Sequence, residues 1–170
     1  MPKLAQLQHP DTMHLEAAAG WIQLGDYDST NEELEKIRAE WRAHPDVLDL
    51  RWLIYLHHEQ WDACLDITSA IVKMAPDRVS GWVHKAYSLR RANDGGVEKA
   101  KAVLLEAAKL FPDDDMIQYN LACYCAQLGQ LDAAQEHLSN SYEVGDARQI
   151  KLMALDDDDL KPLWEGEAAG

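Results

Sequence analysis

Three groups of residues have the types that could carry chemistry. Cys123 and Cys125 form a Cys-x-Cys pair. On a helix, residues two apart point to different faces, so the pair cannot hold one metal ion without unwinding. They are expected to be structural thiols, as is the third cysteine, Cys64. His57-His58-Glu59 places its histidines side by side, not one helical turn apart, and so lacks zinc-protease geometry. Their place at a helix end, where imidazolium complements the dipole, accounts for them. Asp156-Asp157-Asp158-Asp159 is the densest charge run. A calcium loop starting at Asp156 would put Leu160 at a ligand position and Lys161 at the turn glycine, so that pattern fails. Ahead of Leu160-Lys161-Pro162-Leu163-Trp164, the run reads as a water-facing helix cap.

No nucleophile stands with a base. There is no G-x-S-x-G, P-loop or dinucleotide fingerprint, and none of the nine glycines forms a phosphate cradle. The chain is therefore expected not to be an enzyme and to need no cofactor and no metal.

Charge limits the partners. Thirty acidic and 16 basic side chains give a net charge of −14. Such a surface argues against nucleic acid and anionic membranes, whose binding rests on Lys and Arg. No apolar run approaches the ~20 residues of a membrane helix. The opening residues lack the apolar core of a secretory signal, and three cysteines do not make a disulfide framework. A reduced, cytoplasmic location follows as the expectation. The charge is uneven: residues 79–114 carry 6 basic and 5 acidic side chains, residues 115–170 carry 3 and 11.

The elements that would position these residues are helices. Apolar periodicity is helical nearly throughout, with Gly and Pro as punctuation at Gly25, Pro45, Pro76, Gly95-Gly96, Pro112, Gly129 and Gly145. The pattern predicts helices at 12–24, 29–43, 47–57, 61–74, 79–92, 97–110, 115–127 and 131–143, then shorter ones at 147–154 and 157–164. Ser29/Thr30 with Glu33, and Asp115 after Pro112, read as N-terminal caps. The turns Leu24-Gly25-Asp26-Tyr27-Asp28 and Leu128-Gly129-Gln130-Leu131-Asp132 lie 104 residues apart, three periods of 34 plus two. The two extra residues fit an insertion at Asp94-Gly95-Gly96.

On these residues the chain resembles the tetratricopeptide repeat (TPR) family. The repeats would span 11–44, 45–78, 79–114 and 115–146, after an extension at 1–10 and before a helical cap and tail at 147–170. The signature residues include Ala18, Trp21 and Gly25; Tyr55, Trp61 and Pro76; Trp82, Ala86, Ala100 and Pro112; and Leu121, Ala122, Gly129 and Ala134. Trp52 stands in a slot that is usually small, and Arg51 and Lys85 stand where Leu is usual.

The resemblance implies an all-α, right-handed solenoid of four helix hairpins closed by a C-terminal helix pair. It implies a concave groove lined by the first helix of each hairpin. Groove positions would include Leu53, Leu56, Val83, Tyr87, Arg90, Arg91, Tyr119, Cys123 and Ala126. The carboxylate clamp of chaperone-binding TPR proteins is not matched, because Leu15, Ala19, Leu53, Val83 and Tyr87 occupy its positions. An aromatic floor edged by Arg90 and Arg91 suits instead a segment with an apolar anchor and a carboxylate. The expected function is non-catalytic protein interaction, gripping a partner's peptide or helix in the groove. The rival is a small acidic chaperone of secretion type holding an apolar client segment. Either leaves homo-oligomerisation open. Leu152, Leu155, Leu160, Leu163 and Trp164 are expected to cover the open edge of the last hairpin.

Overall fold

The punctuation read from the sequence falls between helices, except Pro45, which opens one as its first residue. A computed structural model describes residues 5–165. Its helices are α1 (Asp11–Gln23), α2 (Tyr27–Lys36), α3 (Pro45–His57), α4 (Trp61–Met74), α5 (Val79–Arg91), α6 (Val97–Leu110), α7 (Asp115–Gln127), α8 (Leu131–Val144), α9 (Ala147–Asp156) and α10 (Lys161–Glu165). Single 3-10 turns occupy Ala39–Trp41 and Asp158–Leu160, and no strand occurs among the described residues.

Burial recurs with the period of the repeat. Ala18, Trp52, Ala86 and Ala122 are buried in the first helices of successive hairpins. Thr30, Cys64, Ala100 and Ala134 are buried in the second helices, followed one turn on by Leu34, Thr68, Leu104 and Leu138. Each step is 34 residues except across the Asp94-Gly95-Gly96 insertion, where it is 36. The turn position recurs too. Gly25 and Gly129 have φ of 74° and 70°, and Glu59 takes the equivalent place with φ 53°.

Several boundaries differ from the sequence reading, and those of α2 and α7 have a visible cause. The α2 cap is Asp26, whose carboxylate accepts from the Ser29 N–H at 2.9 Å, so the helix starts at Tyr27. Thr30 is buried instead, its Oγ1 donating to the Asp26 carbonyl at 2.7 Å. The helix also stops at Lys36, seven residues short of the expected 43, because Ile37 turns extended (ψ 133°). A tertiary contact forces this. Buried Asp11 accepts from the Arg38 N–H at 2.9 Å and from its Nε at 2.8 Å. Arg42 then folds back on the Glu35 and Ile37 carbonyls that the helix end leaves unpaired. Likewise the α7 cap is Asp114, accepting from the Ile117 N–H at 2.9 Å, one residue before the expected Asp115.

The chain divides into two compact units, residues 1–81 and 82–170. In the first, Ala18, Leu34, Ile37, Val47 and Ile54 form a core against which Leu7, Leu15, Ile22, Tyr27, Trp41 and Leu50 pack. In the second, α7 is the central element, packed against α6, α8, α10 and the 3-10 turn at 158–160. The α8–α9 turn passes so close to α7 that a Cβ on Gly145 would lie 2.3 Å from Asp115 Oδ2.

The terminal cover is built from fewer residues than expected. Leu160 and Leu163 are buried and Trp164 half-buried, joined by Ile150 and Ala154 of α9. Leu152 and Leu155 are 60% and 67% exposed and cover nothing. The residues of α9 that reach the core are the two four apart, Ile150 and Ala154, as one helix face requires.

Candidate functional site: the α5–α7 face and its acidic strap

In the second unit, α5 brings Tyr87, Arg90 and Arg91 near its C-terminus, and α7 brings Tyr119, Cys123, Ala126 and Gln127. Tyr119, Cys123 and Ala126 were expected to line an open groove; they are only 5%, 3% and 3% exposed. What shields polar atoms of this row is the chain's own segment 157–160, hereafter the strap. Arg90 grips Asp159 with both terminal nitrogens, at 2.6 and 3.1 Å, and the Gln127 amide donates to the same carboxylate. Tyr119 Oη donates to Asp157 Oδ2 at 2.8 Å, and the Cys123 thiol donates to that oxygen at 3.5 Å. Asp157 Oδ1 accepts from the Asp159 N–H at 3.0 Å, so Asp157 does cap the 3-10 turn.

The Asp run is thus split by the geometry of one turn. Asp156 and Asp158 are exposed, whereas Asp157 and Asp159 face α5 and α7. This corrects the expectation of a wholly water-facing run. Leu160, next along, is fully buried.

Electrostatics bind this constellation into its present protonation state. Burial pushes the Cys123 thiol well above its ordinary range, and the adjacent Asp157 and Asp159 charges add to the shift. The thiol is a proton donor here and not a nucleophile. Burial likewise raises Tyr119, as does its bond to Asp157. Burial works against the Arg90 charge, but its hydrogen bond and ion pair with Asp159 outweigh that and raise its pKa. Tyr124, under the Arg90 guanidinium at 5.6 Å, is pushed up to about 12 by burial.

Cys123, Asp157 and Asp159 offer three donor atoms within 4.8 Å of one another. As a cation site the set is poor, because Arg90 already neutralises Asp159 and Tyr119 occupies Asp157. The other thiols lie in cores. Burial pushes Cys64 up to about 11, and its Sγ lies 3.9 Å from the Trp52 carbonyl; Cys125 is fully buried. His57 ends α3 with its ring stacked on Tyr27 at 3.8 Å, and His58 meets it edge-on at 5.1 Å.

The remaining predicted positions are half-buried. Leu53 and Leu56 lie on α3 in the first unit, Val83 and Tyr87 on α5 in the second. Arg91 lies over the Tyr87 ring, 3.8 Å from its centroid, and donates to the Tyr87 carbonyl at 3.2 Å. Beside the strap an open cleft of about 620 Å³ is lined by Arg90, Arg91, Tyr119, Met153 and Asp156 to Asp159. Sequence reasoning missed Gln127 and the inward pair Asp157/Asp159. A signal for the pair was present, since two carboxylates followed by Leu160 are the chemistry that Arg90 and an apolar face would select.

This all-α hairpin solenoid is of the TPR type. A thermophilic TPR protein of Thermus thermophilus, TTC0263, superposes with a TM-score of 0.71 at 20% identity, over 92% of this chain and 82% of that one. MamA residues 41 to the end, from Desulfovibrio magneticus RS-1, give 0.68 at 18% identity, over 79% of this chain and 75% of that one. A MamA RS-1 double mutant gives 0.68 at 17% identity, over 84% and 79%. No family model matches the sequence, and no curated protein does. No helix among the described residues is long and apolar enough to cross a membrane.

Proposed function

We propose that the chain is a non-catalytic protein-interaction module whose recognition surface is the α5–α7 face, on which a segment of a partner protein lies. One observation carries this reading: that face already holds a peptide segment, its own strap, by two arginine hydrogen bonds, a tyrosine hydroxyl, a glutamine amide and the buried Leu160. Aromatic and arginine side chains are the usual energetic centres of protein interfaces, and Tyr87 with Arg91 extends the surface beyond the strap. TPR-type neighbours support an interaction role through fold alone. The buried thiols, raised and proton-bound, favour no covalent chemistry.

Affinity capture of partners from extracts tests the reading with full-length variants. Tyr87→Ala with Arg91→Ala should weaken capture by ~1–3 kcal/mol, while helical content by circular dichroism stays the same. Lys101→Ala with Lys109→Ala, on α6, should leave capture intact. Loss through the α6 pair, with the α5 pair silent, would place the interface elsewhere.

A further inference from the structure

The strap shows what the α5–α7 face selects. Two carboxylates two residues apart are read by separate donor sets, Asp157 by Tyr119 and Cys123, Asp159 by Arg90 and Gln127. The intervening Asp158 is exposed and unread, and the following Leu160 is fully buried. The pattern is Asp-x-Asp followed at once by an apolar anchor. The strap also sets the charge of its surroundings. With it in place, the cleft beside Arg90 and Arg91 has a wall of four aspartates. With it gone, three of those charges leave and the arginines remain, on a stretch of chain, 79–114, that is net positive.

We propose that the strap is a tethered competitor: the partner carries an acidic segment of the same form, Asp-x-Asp-Leu in character, and binds by displacing residues 157–160 from α5 and α7. This rests on the functional reading above and adds the ligand's chemistry and its regulation. A tethered segment competes at an effective concentration on the order of millimolar. The apparent affinity of an incoming segment falls by the fraction of molecules whose strap is displaced. Long-range repulsion from the acidic chain disfavours acidic segments, so short-range matching to the donors and burial of the apolar residue in the place of Leu160 must supply the selectivity.

The test uses a fluorescent peptide with the sequence of residues 155–164 and the full-length chain, read by fluorescence anisotropy. The strap-weakened variant Asp157→Asn with Asp159→Asn should bind the peptide roughly tenfold or more tightly than the unaltered chain. Adding Arg90→Gln to that variant should abolish the gain. A peptide with the residues of Asp157 and Asp159 changed to asparagine should not bind. Equal binding by the unaltered and strap-weakened chains, or binding indifferent to Arg90→Gln, overturns the proposal. Should the variant fail to fold, hydrogen exchange on the unaltered chain decides: excess peptide should speed exchange of the Asp159 and Leu160 amides, and unchanged exchange refutes displacement. If the peptide fails while Tyr87→Ala with Arg91→Ala still weakens partner capture, the competitor idea falls and the functional reading stands. If both are silent, the functional reading falls too.

Discussion

Arg90 and Asp159 lie 69 residues apart in the chain and meet through two hydrogen bonds of 2.6 and 3.1 Å, in a setting where each side chain keeps only about a fifth to a quarter of its exposure. The pair ties the C-terminal segment to the helix whose next residue, Arg91, lines the cleft and lies over the Tyr87 ring. On the proposed reading, structure closure and partner recognition draw on the same guanidinium.

A double-mutant cycle measures that tie. Arg90→Ala and Asp159→Ala should each cost ~1–3 kcal/mol in urea unfolding, between the values for exposed and buried pairs. The double variant should cost less than the two added, because removing either partner strands the other. Full additivity would mean the contact contributes nothing.

The terminal cover rests on Leu160 and not on its exposed neighbours. Leu160→Ala should destabilise by ~2–4 kcal/mol, as truncation of a fully buried leucine does. Leu152→Ala and Leu155→Ala should stay within ~0.5 kcal/mol, since both side chains already face water. Thermal melts of the three variants separate the cases; equal effects would contradict the assignment.

Glu59 holds a left-handed backbone at the turn where Gly25 and Gly129 stand in the other hairpins. Left-handed residues with a Cβ carry a penalty of ~1–2 kcal/mol. Glu59→Gly should therefore raise the melting temperature slightly, while Gly129→Ala lowers it, although the space around Gly129 is open. A stabilised Gly129→Ala would show that sterics, not φ, govern the turn.

Acid should weaken the fold before the carboxylates are protonated. Burial pushes the His84 imidazole down to about 4, against about 6.5 when unfolded. A depressed folded value leaves its contribution complete above pH 6.5 and erodes it as pH falls toward 4. Between pH 7 and 5 the loss is about 2 kcal/mol. Asp11, lowered by its bonds to Arg38, adds a second loss only below about pH 4. Melting curves of His84→Gln should flatten the first window and leave the second; an unchanged slope between pH 7 and 5 would assign that loss to other groups.

Local size and spacing made the repeat legible. Ala18, Ala86 and Ala122, at spacings of 68 (two periods of 34) and 36, mark where helices approach closely, and Gly25 and Gly129 mark the turns. Trp52 broke the size rule yet is buried in the same slot. What stayed hidden depended on distant partners. The early end of α2 needs Asp11 to meet Arg38, 27 residues on. A run of aspartates before a helix looks the same in sequence whether it faces water or a guanidinium, and only the turn at 158–160 decides which members point inward. Tyr119, Cys123 and Ala126 were placed correctly on α7, but their cover came from a segment that helical periodicity could not assign to it.

The central claim, that partners are recognised on the α5–α7 face, is tested most directly by site-specific photocrosslinking in the full-length chain. A photoreactive side chain at Val83 on α5 should crosslink a partner in a single defined band, and excess peptide 155–164 should suppress that band. The same group at Leu105, on the exposed side of α6, should yield none. Crosslinking from Leu105 with silence at Val83 would contradict the account.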